Sequence, residues 1–184
     1  MKVITLHPEP FRRACRDLAA QARDFAPDML VGIATGGAFV ASEMRSVLTQ
    51  AAYTEVSLRR KATKRKKPLR ALLRLLPTRL ADALRRREAA RVSFAEPEPF
   101  VLRPSLAATL RDCRRVLVAD DAVDSGRTLL ATVRAIREAA PQAEVRTAVL
   151  TVTTATPLIN PDYALRRDET LIRFPWSLDY NPRR

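Results

Sequence analysis

The feature that most constrains this chain is a set of short, unbroken apolar runs separated by stretches with helical periodicity. The runs at 29–34 and 116–119 suit strands that are buried on both faces of a sheet, and residues 145–152 form a further predicted strand. Residues 11–25 and 128–139 instead place apolar side chains at helical spacing. Strands that alternate with helices predict an α/β domain with a mainly parallel sheet, whose loops gather at the carboxyl ends of the strands.

Length and composition narrow the class of protein. The chain has 184 residues, about one domain's worth, and 47% of them are hydrophobic, which excludes a disordered chain. No apolar run reaches the roughly 18 residues of a membrane helix, and the N-terminus lacks a signal peptide's apolar segment. Cys15 and Cys113 provide neither a disulfide framework nor a metal-ligand pattern, and His7, the single histidine, leaves no room for a Ser-His-Asp site unless it serves in one. We expect one cytoplasmic domain over residues 1–184 without a membrane span.

The positive charge is concentrated in one segment. The net charge is +13, and residues 59–91 contain 14 Lys or Arg against two acids, so this segment has a charge of +12. Within it, residues 61–99 interrupt the alternation of strands and helices and predict a basic insertion of two amphipathic helices joined at Pro77. Four interpretations stay open: a solvated hairpin, a lid over an active site, an arm that binds nucleic acid, and a contact with an acidic membrane surface or a protein partner.

The most informative run extends from residue 116 to residue 128. An apolar strand ends in Asp120 and Asp121, which can accept hydrogen bonds from two vicinal hydroxyls or hold a metal. Residues 125–128 (Ser-Gly-Arg-Thr) then open a helix, and helix N-termini bind anions. A ribose 5-phosphate satisfies both halves of this pattern. The alternative is an ordinary strand-to-helix turn with acidic caps.

This run resembles the signature of the type I phosphoribosyltransferases, in which an apolar strand, two acids and two apolar residues lead into a phosphate loop. The resemblance covers most of residues 1–58 and 100–181 and implies Mg²⁺-dependent use of phosphoribosyl pyrophosphate (PRPP). Residues 31–37 resemble the family's pyrophosphate loop, in which glycines let the backbone approach the ligand. Residues 60–64 resemble an Arg-Lys-x-x-Lys stretch that contacts pyrophosphate in the orotate and adenine enzymes, although a solvated basic run is an equal alternative.

The acceptor base is indicated by Asp124 and by the C-terminus. An acid at the position of Asp124 is typical of the 6-oxopurine enzymes, where it faces purine N7 as the proposed general base. Residues 175–181 resemble xanthine–guanine and hypoxanthine–guanine enzymes, whose acid at the position of Asp179 binds a metal. Two features depart from that branch. The stretch 150–154 has no base-reading Lys, and Leu171 or Ile172 stands where an aromatic residue would stack on the purine.

The resemblance therefore implies a type I phosphoribosyltransferase fold: a mainly parallel sheet flanked by helices, with the basic helical insertion and a small C-terminal hood. The expected catalytic residues are Asp120, Asp121 and Asp124. The remaining assignments are 5-phosphate binding by Asp124, Ser125, Gly126, Arg127 and Thr128, pyrophosphate binding by Thr35, Gly36, Gly37, Arg60, Lys61 and Lys64, base binding by Leu171, Ile172 and Trp176, and metal binding by Asp120, Asp121 and Asp179.

The expected function is Mg²⁺-dependent transfer of ribose 5-phosphate from PRPP to a purine-like nitrogen base, with release of pyrophosphate, as in purine salvage. One alternative is a non-catalytic regulator that keeps this fold to sense nucleotide or PRPP and binds nucleic acid through residues 59–91. Another is an enzyme of a specialised pathway that modifies an unusual acceptor. We also expect a homo-oligomer.

Overall fold

A computed structural model describes residues 2–57, 78–89, 94–97 and 99–182. Two of the elements are short: a 3₁₀ turn at Arg23–Phe25 and helix α4 at Pro104–Leu110. The other elements, in chain order, are β1 (Val3–Thr5), α1 (Pro8–Gln21), β2 (Met29–Ile33), α2 (Gly36–Met44), β3 (Ala52–Val56), α3 (Thr78–Ala89), β4 (Arg115–Val123), α5 (Arg127–Ala139), β5 (Glu144–Val152), β6 (Tyr163–Arg166) and β7 (Leu171–Arg173).

A five-stranded sheet forms the centre of the domain. Its strand order is β3-β2-β4-β5-β6, and every neighbouring pair is parallel. All five residues of β2 are buried, as expected for a strand covered on both faces. The α/β class and the parallel sheet flanked by helices, both predicted from the sequence, are confirmed.

The two faces of the sheet bury separate apolar clusters, and β4 contributes to both. Val116 and Val118 pack in the cluster that contains Leu129 and Ile136 of α5. Leu117 and Ala119 pack in the cluster formed with α1 and α2. Alternate side chains of a strand point to opposite faces, so the unbroken apolar run of β4 is what a sheet covered on both sides requires.

A second, two-stranded sheet pairs the two ends of the chain. Strands β1 and β7 run parallel, with Val3 opposite Leu171, and Leu6 N–H donates to the Arg173 carbonyl at 2.9 Å. The side chains of His7 and Tyr180 meet at 3.2 Å between Nδ1 and the hydroxyl. These contacts join the C-terminal segment to the N-terminus and form the small hood.

Several boundaries differ from the sequence prediction. Strand β4 continues past the apolar run to Val123, because Ala122 and Val123 still pair with Thr151 and Val152 of β5. Helix α2 begins at Gly36, so the end of the run 31–37 that resembles a pyrophosphate loop forms the first turn of a helix. Strands β1 and β6 and helix α4 were not predicted, because three to seven residues are too few to show a clear periodicity.

The insertion is described only in part. Helix α3 confirms the second predicted helix, while the first, like residues 58–77 as a whole, lies outside the described residues. Leu80 and Leu84 of α3 are 54% and 44% exposed. The helix is instead tied to the domain through Asp82, which pairs with Arg173 of β7 at 2.5 Å between Oδ1 and Nη2. These two leucines therefore do not give this helix a buried apolar face.

Arg173 is nearly fully buried, with 6% of its side chain exposed. Its Nε donates to Asp179 Oδ2 at 2.8 Å and its Nη1 donates to Thr5 Oγ1 at 2.9 Å. The guanidinium thus joins β1, β7, α3 and the C-terminal segment. A buried cation needs such partners because the loss of its hydration is costly.

We expect Asp82→Ala to lower the free energy of unfolding by about 3 kcal/mol, since it removes one partner of a buried charge. Arg86→Ala, at an exposed site of the same helix, should change it by less than about 0.5 kcal/mol. Chemical denaturation of both variants measures the difference. Equal stabilities would show that the Asp82–Arg173 pair does not hold α3 to the domain.

No helix among residues 2–57, 78–89, 94–97 and 99–182 is both long and apolar enough to cross a membrane.

Candidate active site

The acid pair lies near the carboxyl end of the central strand β4. Asp120 is 8% exposed, and its Oδ1 accepts a hydrogen bond from the backbone N–H of Asp121 at 2.9 Å. Asp121 Oδ1 accepts from Ala122 N–H at 3.0 Å, and its Oδ2 accepts from Trp176 Nε1 at 3.3 Å. Two adjacent carboxyl groups are therefore held at the edge of the sheet where the loops of an α/β domain gather.

Burial raises the pKa of Asp120 well above its usual range, and the neighbouring charge of Asp121 adds to this rise. Burial also raises the pKa of Asp121, although its hydrogen bonds partly oppose the rise. Two ionised carboxylates side by side repel each other, so this pair favours a bound proton, a cation or hydroxyl donors between its oxygens.

A carboxyl group whose pKa is higher in the folded chain makes the free energy of unfolding fall as the pH rises from the unfolded-state value near 4. The amide in Asp120→Asn cannot ionise, so we expect this variant to have a higher free energy of unfolding than the wild type at pH 7.5, by about 1 kcal/mol or more. The gain should disappear near pH 4. Denaturation at both values measures it, with the exposed Asp17→Asn as control. A variant less stable than the wild type at pH 7.5 would contradict the expectation.

The loop between β2 and α2 packs directly against the acids. Thr35 is the N-cap residue of α2, and the peptide bond that joins it to Ala34 is cis. A Cβ on Gly36 would lie 2.1 Å from Asp121 Oδ2, and one on Gly37 would lie 2.4 Å from the Ala119 carbonyl oxygen. Only glycine permits this approach. The structure thus brings the predicted pyrophosphate loop and the predicted acid pair together.

The predicted phosphate loop connects β4 to helix α5. Gly126 is the N-cap residue, with φ of 82°, in the left-handed region that favours glycine. Ser125 is buried, its Oγ accepts from Arg127 N–H at 3.4 Å, and its carbonyl accepts from Leu158 N–H at 2.8 Å. Arg127 and Thr128 open the thirteen-residue helix, whose N-terminus favours an anion.

Asp124 lies between the acid pair and the phosphate loop. Its Oδ1 accepts a hydrogen bond from Thr153 Oγ1 at 2.6 Å. Thr153 follows the end of β5 and is 6% exposed. The stretch 150–154, which lacks the base-reading Lys, is therefore in contact with the residue predicted to act as the base.

The three residues predicted to bind the base lie in the hood. Leu171 and Ile172 are each 5% exposed within β7. Trp176 is surrounded by aromatic rings: it stacks on Phe174 at 4.8 Å between centroids and meets Phe39 at 4.8 Å and Phe11 edge-on at 5.0 Å. Base binding by Leu171, Ile172 and Trp176 stays a prediction.

The predicted metal ligand Asp179 is held in an ion pair, and three predicted pyrophosphate ligands lie outside the described chain. Asp179 is 10% exposed and paired with Arg173, so binding a metal would require it to share or leave that ion pair. Arg60, Lys61 and Lys64 lie outside the described residues, and their pyrophosphate role stays a prediction.

The donor set fits magnesium. Asp120 and Asp121 provide hard carboxylate oxygens, and Mg²⁺ typically binds one or two carboxylates together with water and substrate phosphate oxygens. No group of three or more potential ligands from His, Cys, Asp and Glu occurs in the described part of the chain.

Sequence reasoning missed two contacts of the site and one contact that holds α3 to the hood. They are Thr153 with Asp124, Trp176 with Asp121, and Asp82 with Arg173. Each contact joins residues at least 29 positions apart, so the periodicity of a single segment cannot predict it. The one available signal was Asp82, an acid in a strongly basic helix.

Comparison with known proteins identifies the family. The model of the phosphoribosyl transferase domain matches residues 5–183. The chain belongs to this family. It is a phosphoribosyltransferase, and the predicted type I fold is confirmed. No curated protein matches the chain.

Solved structures with the same fold have low sequence identity to this phosphoribosyltransferase. A purine phosphoribosyltransferase from Pyrococcus horikoshii is 22% identical, with a TM-score of 0.61 over 96% of this chain and 95% of that one. The xanthine-guanine-hypoxanthine phosphoribosyltransferase of Helicobacter pylori is 16% identical, with a TM-score of 0.62 over 96% and 95% of the two chains. A Neisseria gonorrhoeae protein solved with bound ppGpp is 16% identical, with a TM-score of 0.60 over 95% and 89%.

Proposed function

We propose that this phosphoribosyltransferase transfers ribose 5-phosphate from PRPP to a purine-like nitrogen base with the help of Mg²⁺. The observation that supports it is the juxtaposition of three parts at one edge of the sheet. The acid pair lies under the glycine loop at Gly36, and the N-terminus of α5 follows the acids within a few residues. These parts suit the ribose hydroxyls, the pyrophosphate and the 5-phosphate of one ligand.

In the proposed reaction the base displaces pyrophosphate at ribose C1 through a cationic, oxocarbenium-like transition state. Asp120 and Asp121 hold the ribose hydroxyls, and the loop 125–128 holds the 5-phosphate, which orients the reacting carbon. The pyrophosphate lies against the backbone at Thr35, Gly36 and Gly37. Asp120 and Asp121, and in our proposal also Asp179, would hold Mg²⁺, which would supply positive charge beside the leaving pyrophosphate.

Asp124 accepts the proton that the base loses as its ring nitrogen attacks C1. The base lies against Leu171, Ile172 and Trp176 of the hood, and Arg60, Lys61 and Lys64 contribute cations to the pyrophosphate. The purine and xanthine-guanine-hypoxanthine activities of two structural relatives support a purine-like acceptor. We place the reaction in cytoplasmic purine salvage.

The test is the release of pyrophosphate from PRPP by purified protein with a panel of purine and other nitrogen bases, with and without Mg²⁺. We expect turnover with at least one purine and its loss on chelation of the metal. Folded protein that binds no PRPP and turns over no base would overturn the proposal.

A second candidate is a regulatory function in which the basic segment binds nucleic acid. It is favoured by the charge of +12 on residues 59–91, since lysines and arginines that neutralise phosphates supply non-specific affinity. Binding to a duplex of arbitrary sequence should then weaken steeply as salt rises and should respond to PRPP. A duplex that fails to bind even at low salt would exclude this function.

A further inference from the structure

The side chain of Thr153 contacts the proposed base Asp124 directly. Strands β4 and β5 end side by side, with Val123 paired with Val152. Asp124 and Thr153 are the next residue of each strand. The Thr153 N–H donates to the Val123 carbonyl at 2.9 Å, which fixes the backbone of Thr153 beside Asp124.

The single proton of the Thr153 hydroxyl has two acceptors within reach. Asp124 Oδ1 is 2.6 Å away, and the Val123 carbonyl oxygen is 3.3 Å away. The shorter contact to a carboxylate is the stronger one, because a charged acceptor roughly doubles the strength of a hydrogen bond. With Thr153 6% exposed, little water competes for this proton.

We propose that Thr153 is a positioning residue that holds Asp124 through Oδ1 and leaves Oδ2 as the oxygen that takes the proton of the acceptor base. This inference rests on the proposed function and deepens it. The hydroxyl proton of Thr153 is donated to Asp124 and is therefore not free to form a hydrogen bond with the acceptor base. Discrimination between acceptor bases at this position therefore depends on a ring N–H of the base, which donates a hydrogen bond to Asp124.

Loss of the Thr153 hydroxyl should lower kcat and leave PRPP binding unchanged. An unheld carboxylate samples several rotamers, and only part of them directs an oxygen at the acceptor. PRPP is bound by the loops at 35–37 and 125–128, which Thr153 does not form. Val has nearly the same shape as Thr and lacks the hydroxyl, whereas Ser keeps the hydroxyl.

We expect Thr153→Val to lower kcat about tenfold or more, within the range that a positioned general base contributes, with KM for PRPP changed less than about twofold. Thr153→Ser should recover most of the wild-type kcat. The matched control is Thr147→Val, since Thr147 is buried in β5 and its Oγ1 donates to Asp162 Oδ2 at 2.7 Å, away from Asp124. It should keep kcat within about twofold.

A double-mutant cycle tests whether Thr153 acts through Asp124. In the Asp124→Asn background, Thr153→Val should have little further effect on kcat. Equal multiplicative losses in both backgrounds, or wild-type kcat for Thr153→Val, would overturn the inference.

Crystal structures separate this inference from the proposed function. The Asp124 side chain should change its rotamer or become disordered in Thr153→Val and should keep its position in Thr153→Ser. An unchanged Asp124 in Thr153→Val overturns the positioning role even if the protein has no turnover with any base. A wild type that lacks turnover while Asp124 moves as expected overturns the proposed function alone.

Discussion

Asp124→Asn is expected to lower kcat about 100-fold or more while the Kd for PRPP changes less than about twofold. Asn keeps the shape of the side chain but cannot take a proton from the attacking base, and general-base contributions of 10² to 10⁴ are usual. PRPP affinity is preserved because the backbone of the phosphate loop and the N-terminus of α5 do not depend on the carboxylate.

Steady-state release of pyrophosphate gives kcat, and calorimetry gives the Kd for PRPP. The control is Asp162→Asn, which alters an aspartate that also accepts a hydrogen bond from a β5 threonine, at Thr147. It should keep the wild-type kcat. An Asp124→Asn enzyme with full kcat would remove Asp124 from the chemistry, and a parallel loss of PRPP affinity would show that the carboxylate serves binding.

Gly37→Ala is expected to lower the free energy of unfolding by about 3 kcal/mol or more and to abolish PRPP binding. The added Cβ would lie 2.4 Å from the Ala119 carbonyl oxygen and 2.7 Å from Asp120 Cα. Both are backbone atoms of β4, so the first turn of α2 or the central strand must move. Either movement displaces the loop from the acid pair.

The matched comparison is Gly126→Ala. It tests the cost of a backbone conformation that favours glycine, whereas Gly37→Ala tests the cost of a steric clash. Gly126 has φ of 82°, and its added Cβ would meet Ile159 no closer than 3.2 Å. A non-glycine residue in this conformation costs about 1–2 kcal/mol, so the loss should be smaller. Chemical denaturation and PRPP titration measure both variants. A Gly37→Ala variant as stable as the wild type would contradict the close packing of α2 on β4.

The sequence alone predicted the parts of the fold that follow from periodicity over long segments. The strands buried on both faces show as unbroken apolar runs, as at residues 29–33 and 116–119, because a strand covered on both sides has no polar face. The placement of Asp120 and Asp124 at the carboxyl end of a parallel strand follows from the same pattern, since loops gather at that edge.

Tertiary structure decided the contacts that connect distant positions. The three-residue strands β1 and β7 exist only as partners of each other, since so short a segment has no stable pairing by itself. The orientation of α3 follows from the buried Arg173, which draws Asp82 inward and leaves Leu80 and Leu84 at the surface. A hydrophobic pattern alone would have turned the leucines inward.

Asp124 shows both contributions, that of the local sequence and that of the tertiary structure. Its place after a buried strand is a local property, so the sequence determined that a carboxylate stands at this edge of the sheet. Its partner Thr153 is 29 residues away, and the two meet because β4 and β5 end in register. Register depends on how two strands pack on a shared core, and only the tertiary structure therefore decided which side chain holds the carboxylate.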